Sequence, residues 1–175
     1  MSKQQMVLFA IGPDKPGLVK DISAVIYQAG ANLEDSRMAV LAGDFALIVL
    51  FSGDDAAVAK VSEQCTELER KLRFKTYIKP ASHQTMDVDL PHHSLQVVGV
   101  DQPGIVHLVS TILADLEINI VSLESRLAHA AFAGTELFKL RAEIATGNQS
   151  VIDNLKTRLE ETCGSLDLDF DLDPL

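Results

Sequence analysis

The chain has 175 residues, of which 47% are hydrophobic and 23% are charged, a composition that suits a packed core and excludes wholesale disorder. Its net charge of −10 repels phosphate backbones, so we expect no direct binding to nucleic acid. No apolar run approaches the roughly 20 residues that span a bilayer, and no charged and then apolar leader opens the chain, so we expect a cytoplasmic protein with no membrane partner.

An internal repeat organises the sequence. Residues 11–19 read IGPDKPGLV and recur at residues 98–106 as VGVDQPGIV, a displacement of 87 positions (101 minus 14). Asn32 matches Asn119 at the same displacement. Such a register is typical of duplication, so we predict two domains, residues 1–82 and 92–175, joined by a polar linker at residues 83–91.

The predicted elements of the first half follow from its hydrophobic periodicity. Residues 5–11 form a compact apolar run that predicts a buried strand. Apolar residues three or four positions apart predict helices over 18–29, which Gly30 ends, and over 58–72. Residues 32–41 and 44–52 predict a hairpin that turns at Ala42 and Gly43, and residues 74–80 predict a last strand.

The second half repeats this order, with a longer predicted hairpin connection at residues 128–134. Over residues 166–173 apolar residues alternate with aspartates, which predicts a half-buried strand with an acidic outer face. Each half therefore reads βαββαβ. We predict an α+β fold of two tandem ferredoxin-like units, in which each antiparallel sheet carries its helices on one face.

The cysteines and the linker histidines are predicted to have no chemical role. Cys65 and Cys163 occupy apolar helical positions and are interpreted as small core residues. His83, His92 and His93 lie in or beside the linker, where we expect exposed side chains that hold no metal.

One dense basic group, Arg70, Lys71, Arg73 and Lys75, is interpreted as complementing the C-terminus of the second helix. The sequence contains no recognisable phosphate loop or nucleophile pattern. We therefore expect neither an enzyme nor a cofactor.

The most informative feature is an Asp-x-Pro-Gly loop that precedes the first helix of both halves. Pro16 and Pro103 are expected in the first helical turn of their halves, where their missing N–H groups cost nothing. Gly17 and Gly104 allow another group to approach the backbone closely. The free N–H groups that open each helix form a small anion-binding site suited to a carboxylate.

Polar residues near this loop are candidates for ligand contacts. Asp14 and Asp101 can cap the helix or receive an amino group, and Asn32 and Asn119 offer amide donors and acceptors. Structural alternatives stay open for both pairs. The loop can be a simple helix start, and the asparagines can be turn residues.

These motifs resemble those of tandem ACT-domain proteins, specifically the glycine cleavage system transcriptional repressor family. The resemblance rests on DKPGLV at residues 14–19, GANL at 30–33, DQPGIV at 101–106 and INI at 118–120, and covers nearly the whole chain. It implies sensing of a small amino acid, above all glycine, and repression through a partner transcription activator without DNA contact. A homo-oligomer is compatible with it.

In proteins of this family, the resemblance implies, the ligand lies where the loop of one ACT unit meets a strand of its neighbour. Carried over to this sequence, the ligand-binding residues are Asp14, Gly17, Leu18, Asn32, Asp101, Gly104, Ile105 and Asn119. The chain also resembles the regulatory ends of amino-acid and one-carbon enzymes, such as formyltetrahydrofolate deformylase, so a regulatory subunit or fragment of such an enzyme is the alternative. A metal carrier would need paired cysteines in the loop, which has none.

Overall fold

A computed structural model of the chain describes residues 3–82, 90–129 and 136–175. The chain divides into two units, Met1–Gln84 and Thr85–Leu175. Most of the predicted linker and most of the predicted connection at residues 128–134 lie outside the described residues. Within the described ranges, no helix combines the length and the hydrophobicity that a membrane crossing requires.

The first unit has the order βαββαβ. Its elements are β1 (Gln4–Pro13), α1 (Leu18–Gln28), β2 (Asn32–Leu41), β3 (Asp44–Gly53), α2 (Asp55–Leu72) and β4 (Lys75–Pro80). The four strands form an antiparallel sheet in the order β2-β3-β1-β4, which leaves β2 and β4 at the edges.

The second unit repeats the first. Its elements are β5 (His92–Val100), α3 (Ile105–Asp115), β6 (Asn119–His129), β7 (Glu136–Ala145), α4 (Gln149–Ser165) and β8 (Leu168–Pro174). Its antiparallel sheet has the equivalent order β6-β7-β5-β8. The predicted ferredoxin-like fold class is confirmed.

The core of the first unit lies between one face of the sheet and the two helices. Met6, Leu8 and Ala10 of β1 are buried, whereas the alternate residues Phe9 and Ile11 point to the other face. The buried stripe of α1 that packs on this face consists of Leu18, Ile22, Val25 and Ile26. Burial of these apolar side chains is the main favourable contribution to folding.

The predicted turn and helix end of the first half are confirmed. Ala42 and Gly43 have φ angles of 51° and 87°, the pair of positive values that a tight type I′ hairpin turn requires. Gly30, with a φ of 81°, ends α1 and donates its N–H to the carbonyl of Tyr27 at 3.0 Å. The chain therefore leaves α1 in a left-handed conformation and enters β2 directly.

Both cysteines are buried and free, as the sequence predicted. Burial raises the pKa of the Cys65 thiol to about 11, and it also raises the pKa of Cys163. A thiol with a raised pKa carries little thiolate, which is the reactive form, so both cysteines behave as core residues.

Two boundary predictions are wrong. α1 and α3 begin at Leu18 and Ile105, after the N-caps Gly17 and Gly104. Pro16 and Pro103 therefore lie in the turns before the helices and not in their first turns. β8 begins at Leu168, because Asp167 has a φ of 52° and this left-handed conformation interrupts the extended chain that was predicted from residue 166.

The predictions for two histidines and for Lys75 of the basic group are also wrong. His92 and His93 are half-buried residues of β5, and His92 Nδ1 lies 2.6 Å from Glu143 Oε1, since pairing with β7 continues to the end of the sheet. Arg70 and Lys71 lie in the last turn of α2 as predicted. Arg73 is the C-cap, and Lys75 belongs to β4.

We expect Gly12→Ala to lower the free energy of unfolding by about 1–3 kcal/mol. An added Cβ would lie 2.6 Å from Phe74 Cβ and 2.7 Å from Phe74 Cα, so the backbone must move. Gly164→Ala is the matched control, because no atom lies within 4 Å of an added Cβ in α4. The free energy of unfolding of that variant should be about 0.5 kcal/mol higher than that of the wild type. Urea denaturation measures both, and equal midpoints for Gly12→Ala and the wild type would contradict the close approach.

Candidate functional site

The loops that open α1 and α3, residues 14–17 and 101–104, are held by equivalent backbone hydrogen bonds. The N–H of Asp14 donates to the carbonyl of Gly43 at 2.8 Å, and the N–H of Asp101 donates to that of Glu136 at 3.2 Å. These bonds hold the first loop against the turn before β3 and the second loop against the start of β7. The side chains of Asp14 and Asp101 are exposed.

The two loop glycines have the same left-handed conformation. Gly17 has φ and ψ of 97° and −7°, and Gly104 has 100° and −3°. Each is the N-cap of its helix, and no side chain caps either helix. Of the two roles considered for Asp14 and Asp101, capping is therefore excluded in this conformation, and their carboxylates remain at the surface.

Each of these helices begins with backbone N–H groups that have no intrahelical acceptor. The first intrahelical bond of α1 runs from the Asp21 N–H to the Gly17 carbonyl at 2.9 Å, so the N–H groups of Leu18, Val19 and Lys20 precede the first helical donor. The Leu18 side chain is buried and anchors the helix, which leaves only its backbone for a ligand. No atom lies within 4 Å of a Cβ built on Gly17.

The second unit has the same arrangement. Leu108 donates its N–H to the Gly104 carbonyl at 2.9 Å, Ile105 is buried, and no atom lies within 4 Å of a Cβ built on Gly104. Both loops can accommodate a small anion at the positive end of a helix dipole.

The predicted asparagines lie at the opposite end of the first helix in each unit. Asn32 begins β2 just after α1 ends, and α1 has 11 residues, which corresponds to about 16 Å along its axis. Asn119 is placed in the same way after α3. The structure thus brings Asp14, Gly17 and Leu18 together but does not bring Asn32 to them within one unit.

A groove of about 470 Å³ runs along α1 beside the edge strand β2. Lys20, in the first turn of α1, lines it together with Ser23, Tyr27 and Asn32. The sequence analysis did not select Lys20, Ser23 or Tyr27. Their positions outside the apolar stripe of α1 could have indicated that they face solvent, and Tyr27 is 82% exposed.

β2 also carries a carboxylate, Glu34, whose side-chain hydrogen-bond partners lie on β1 and β3. Side-chain hydrogen bonds from Ser52 and then from Gln5 hold the pKa of Glu34 below its usual range. Gln5 Nε2 donates to Glu34 Oε2 at 2.6 Å. Among the described residues, no three His, Cys, Asp or Glu side chains are grouped so as to hold a metal ion.

Comparison with known proteins gives a family match over the first unit. Residues 4–79 match the family model described as ACT domain. The chain is also 37% identical over 68 residues to a UPF0237 protein of Methanopyrus kandleri, an alignment that covers 38% of this chain and 76% of that protein.

A longer alignment relates the chain to a regulator. The chain is 27% identical to the glycine cleavage system transcriptional repressor of Escherichia coli K12 over 125 residues. This alignment covers 71% of the chain. The aligned part spans 66% of the length of that relative, just under two thirds.

Two solved structures resemble the whole chain. An unknown protein from Galdieria sulphuraria superposes with a TM-score of 0.86 at 34% identity, and 99% of each chain is covered. A structure provisionally described as a glycine cleavage system transcriptional repressor has a TM-score of 0.73 at 22% identity, covering 100% of this chain and 99% of the other. The second likeness shows a shared fold.

We expect Gly17→Ala and Gly104→Ala each to lower the free energy of unfolding by about 1–2 kcal/mol, because an L-residue is disfavoured at a positive φ. Gly17→Asn is the matched control, since asparagine tolerates the left-handed region better and should cost less. Thermal unfolding followed by circular dichroism measures the difference. If the alanine variants melt at the wild-type temperature, the backbone conformation of the loop does not require glycine.

Proposed function

We propose that this chain, which belongs to the ACT-domain family, is an amino-acid-sensing regulator and not an enzyme. Its ligand is a small amino acid, glycine in the first place. It represses the glycine cleavage system through a partner protein, an activator of transcription, and makes no direct contact with DNA.

The observation that carries this proposal is the duplicated loop at the start of α1 and α3. Both copies combine a left-handed glycine, unobstructed space in front of it and an uncapped helix start. A loop needed only to start a helix could use a side-chain cap, as Asp54 does for α2 and Asn148 for α4. The uncapped form leaves the N–H groups available to an external carboxylate.

The chemistry of an amino acid fits this loop. Its carboxylate accepts hydrogen bonds from the N–H groups that follow Gly17, and its ammonium group pairs with the exposed carboxylate of Asp14. No atom lies within 4 Å of a Cβ built on Gly17, so a ligand can approach the backbone closely. Glycine is proposed as the ligand because the E. coli relative is named as a repressor of the glycine cleavage system.

Asn32 and Gly17 lie at opposite ends of α1, so the Asn32 amide does not reach a ligand held by the loop of its own unit. We propose that the amide that contacts a loop-bound ligand comes from a second copy of the chain. A ligand shared in this way stabilises the associated copies over the separated ones. A partner protein that distinguishes the two arrangements can then respond to the amino acid.

Similarity and charge support the regulatory half of the proposal. The E. coli relative is named as a transcriptional repressor of the glycine cleavage system. A net charge of −10 disfavours contact with DNA phosphates, so repression through a protein partner agrees better with this chain.

We expect glycine to raise the melting temperature of the full chain, and Asn32→Ala and Asn119→Ala to weaken glycine binding about three- to tenfold each, through loss of an amide hydrogen bond. Isothermal titration measures the affinity, and thermal shift measures the stabilisation. At ~100 times the dissociation constant, the ligand should add roughly 2.7 kcal/mol.

Asn148→Ala is the matched control for this experiment. Asn148 Oδ1 accepts the Ser150 N–H at 3.0 Å and caps α4, so its loss should cost about 1 kcal/mol of stability and leave glycine affinity unchanged. The proposal fails if no small amino acid shifts the melting temperature, or if Asn32→Ala and Asn148→Ala bind glycine with equal affinity.

We also expect the isolated chain not to bind duplex DNA at physiological ionic strength. Fluorescence anisotropy of a labelled duplex, titrated at low and at physiological salt, measures this. Micromolar binding that weakens steeply with salt would reveal phosphate contacts and would contradict repression through a protein alone.

A further inference from the structure

The face of the first sheet that points away from α1 and α2 contains an open depression of about 550 Å³. It lies at the end of the sheet where β1 leaves for the loop and where the β2–β3 hairpin turns. Ile11 and Leu41, which are 58% and 74% exposed, contribute apolar surface to it. Exposed aliphatic side chains beside a concave surface favour an apolar ligand.

The floor of this depression is low because it is made by two alanines. Ala39 of β2 pairs with Ala46 of β3, and Ala46 pairs in turn with Ile11 of β1. The three residues therefore form one row across three neighbouring strands. The small side chains in the middle of the row leave space between Leu41 and Ile11.

Two cations stand on one side of the floor. Lys75 of β4 pairs with Ile11, and Arg73 precedes β4 as the C-cap of α2. Lys75 Nζ lies 3.7 Å from Glu69 Oε2 and its side chain is 82% exposed, so this pair is weak. Among the described residues Arg73 has no ion-pair partner, and Asp44 lines another part of the rim.

The second unit shows that the fold does not impose these features. The row equivalent to Ala39, Ala46, Ile11 and Lys75 consists of Arg126, Lys139, Val98 and Asp169. Asp167, with a φ of 52°, stands where Arg73 has a φ of 58°. The second unit thus has long cationic side chains where the first unit has alanines, and acids where the first unit has Arg73 and Lys75.

We propose that the depression of the first unit binds a short aliphatic carboxylic acid. The aliphatic body lies on Ile11, Ala46 and Leu41, where it is removed from water. The carboxylate is held by Arg73, whose planar guanidinium pairs with it through two hydrogen bonds, and by Lys75 as a point charge. This site is on the opposite face from the helices, and the inference does not rest on the function proposed above.

The test uses the full chain and 4-methylpentanoate as the probe, with affinity measured by titration calorimetry and location by amide chemical shifts in NMR. Two controls separate the contributions of the carboxylate and of the alkyl chain. 4-Methylpentanamide has the same alkyl chain without the charge, and acetate has the charge without the alkyl chain. We expect the carboxylate probe to bind at least tenfold more tightly than either. Its shifts should map to Ile11, Ala39 and Ala46.

The decisive variant gives the first unit the charges of the second, Arg73→Asp with Lys75→Asp. It should fold, because Asp167 and Asp169 occupy the same backbone positions in the second unit, and it should lose at least tenfold in affinity. Asp167→Arg with Asp169→Lys is the matched control and should bind as the wild type does. The inference is overturned if the amide binds as well as the acid, or if the Asp variant retains full affinity.

Leucine distinguishes two sources of such a carboxylate, because it is 4-methylpentanoate with an α-ammonium group. Tighter binding of leucine assigns the site to an apolar amino acid whose ammonium reaches Asp44, and Asp44→Asn should then abolish the difference. Weaker binding of leucine assigns it to an acid that lacks the amino group. Binding of neither probe at the depression overturns the inference, whatever glycine does at the helix-opening loops.

Discussion

Burial of only one face of each four-stranded sheet is the constraint on which the other features of this protein depend. Two helices cover that face, so residues two apart along β1 are buried and those between them are not. This alternation fixes the register of the strands, because a shift by one residue would expose Leu8 and bury its neighbours. It also leaves the other face of each sheet uncovered by the helices of its own unit.

The length of the first helix sets the distance between the two groups of predicted ligand-binding residues. In each unit α1 or α3 separates the helix-opening loop from the asparagine that begins the next strand. The loop has free N–H donors and the strand begins with an amide, but they lie at different ends of the helix. Under the function proposed here, an amide that contacts the loop-bound ligand therefore has to come from a second copy of the chain.

The two units share a backbone and differ in their outer faces. Arg73 and Asp167 have nearly the same left-handed φ, and Lys75 and Asp169 pair with equivalent strand residues. Their side chains nevertheless carry opposite charges. After duplication the buried face had to stay apolar, whereas the outer face was free to change, since surface charges contribute little to stability. This divergence explains why the carboxylic acid site is proposed on the outer face of the first unit and not on that of the second.

The sequence by itself determined the elements, the duplication and the core. Apolar periods of two and of about 3.6 residues identified strands and helices, and Ala42, Gly43 and Gly30 marked turns, because these signals depend on neighbours along the chain. Only the structure decided that α1 begins at Leu18 with Gly17 as its N-cap, that Asn32 lies a helix length from the loop, and that Arg73 and Lys75 flank two alanines from other strands. Distances across a sheet depend on which strands pair, and a sequence read in order does not contain that information.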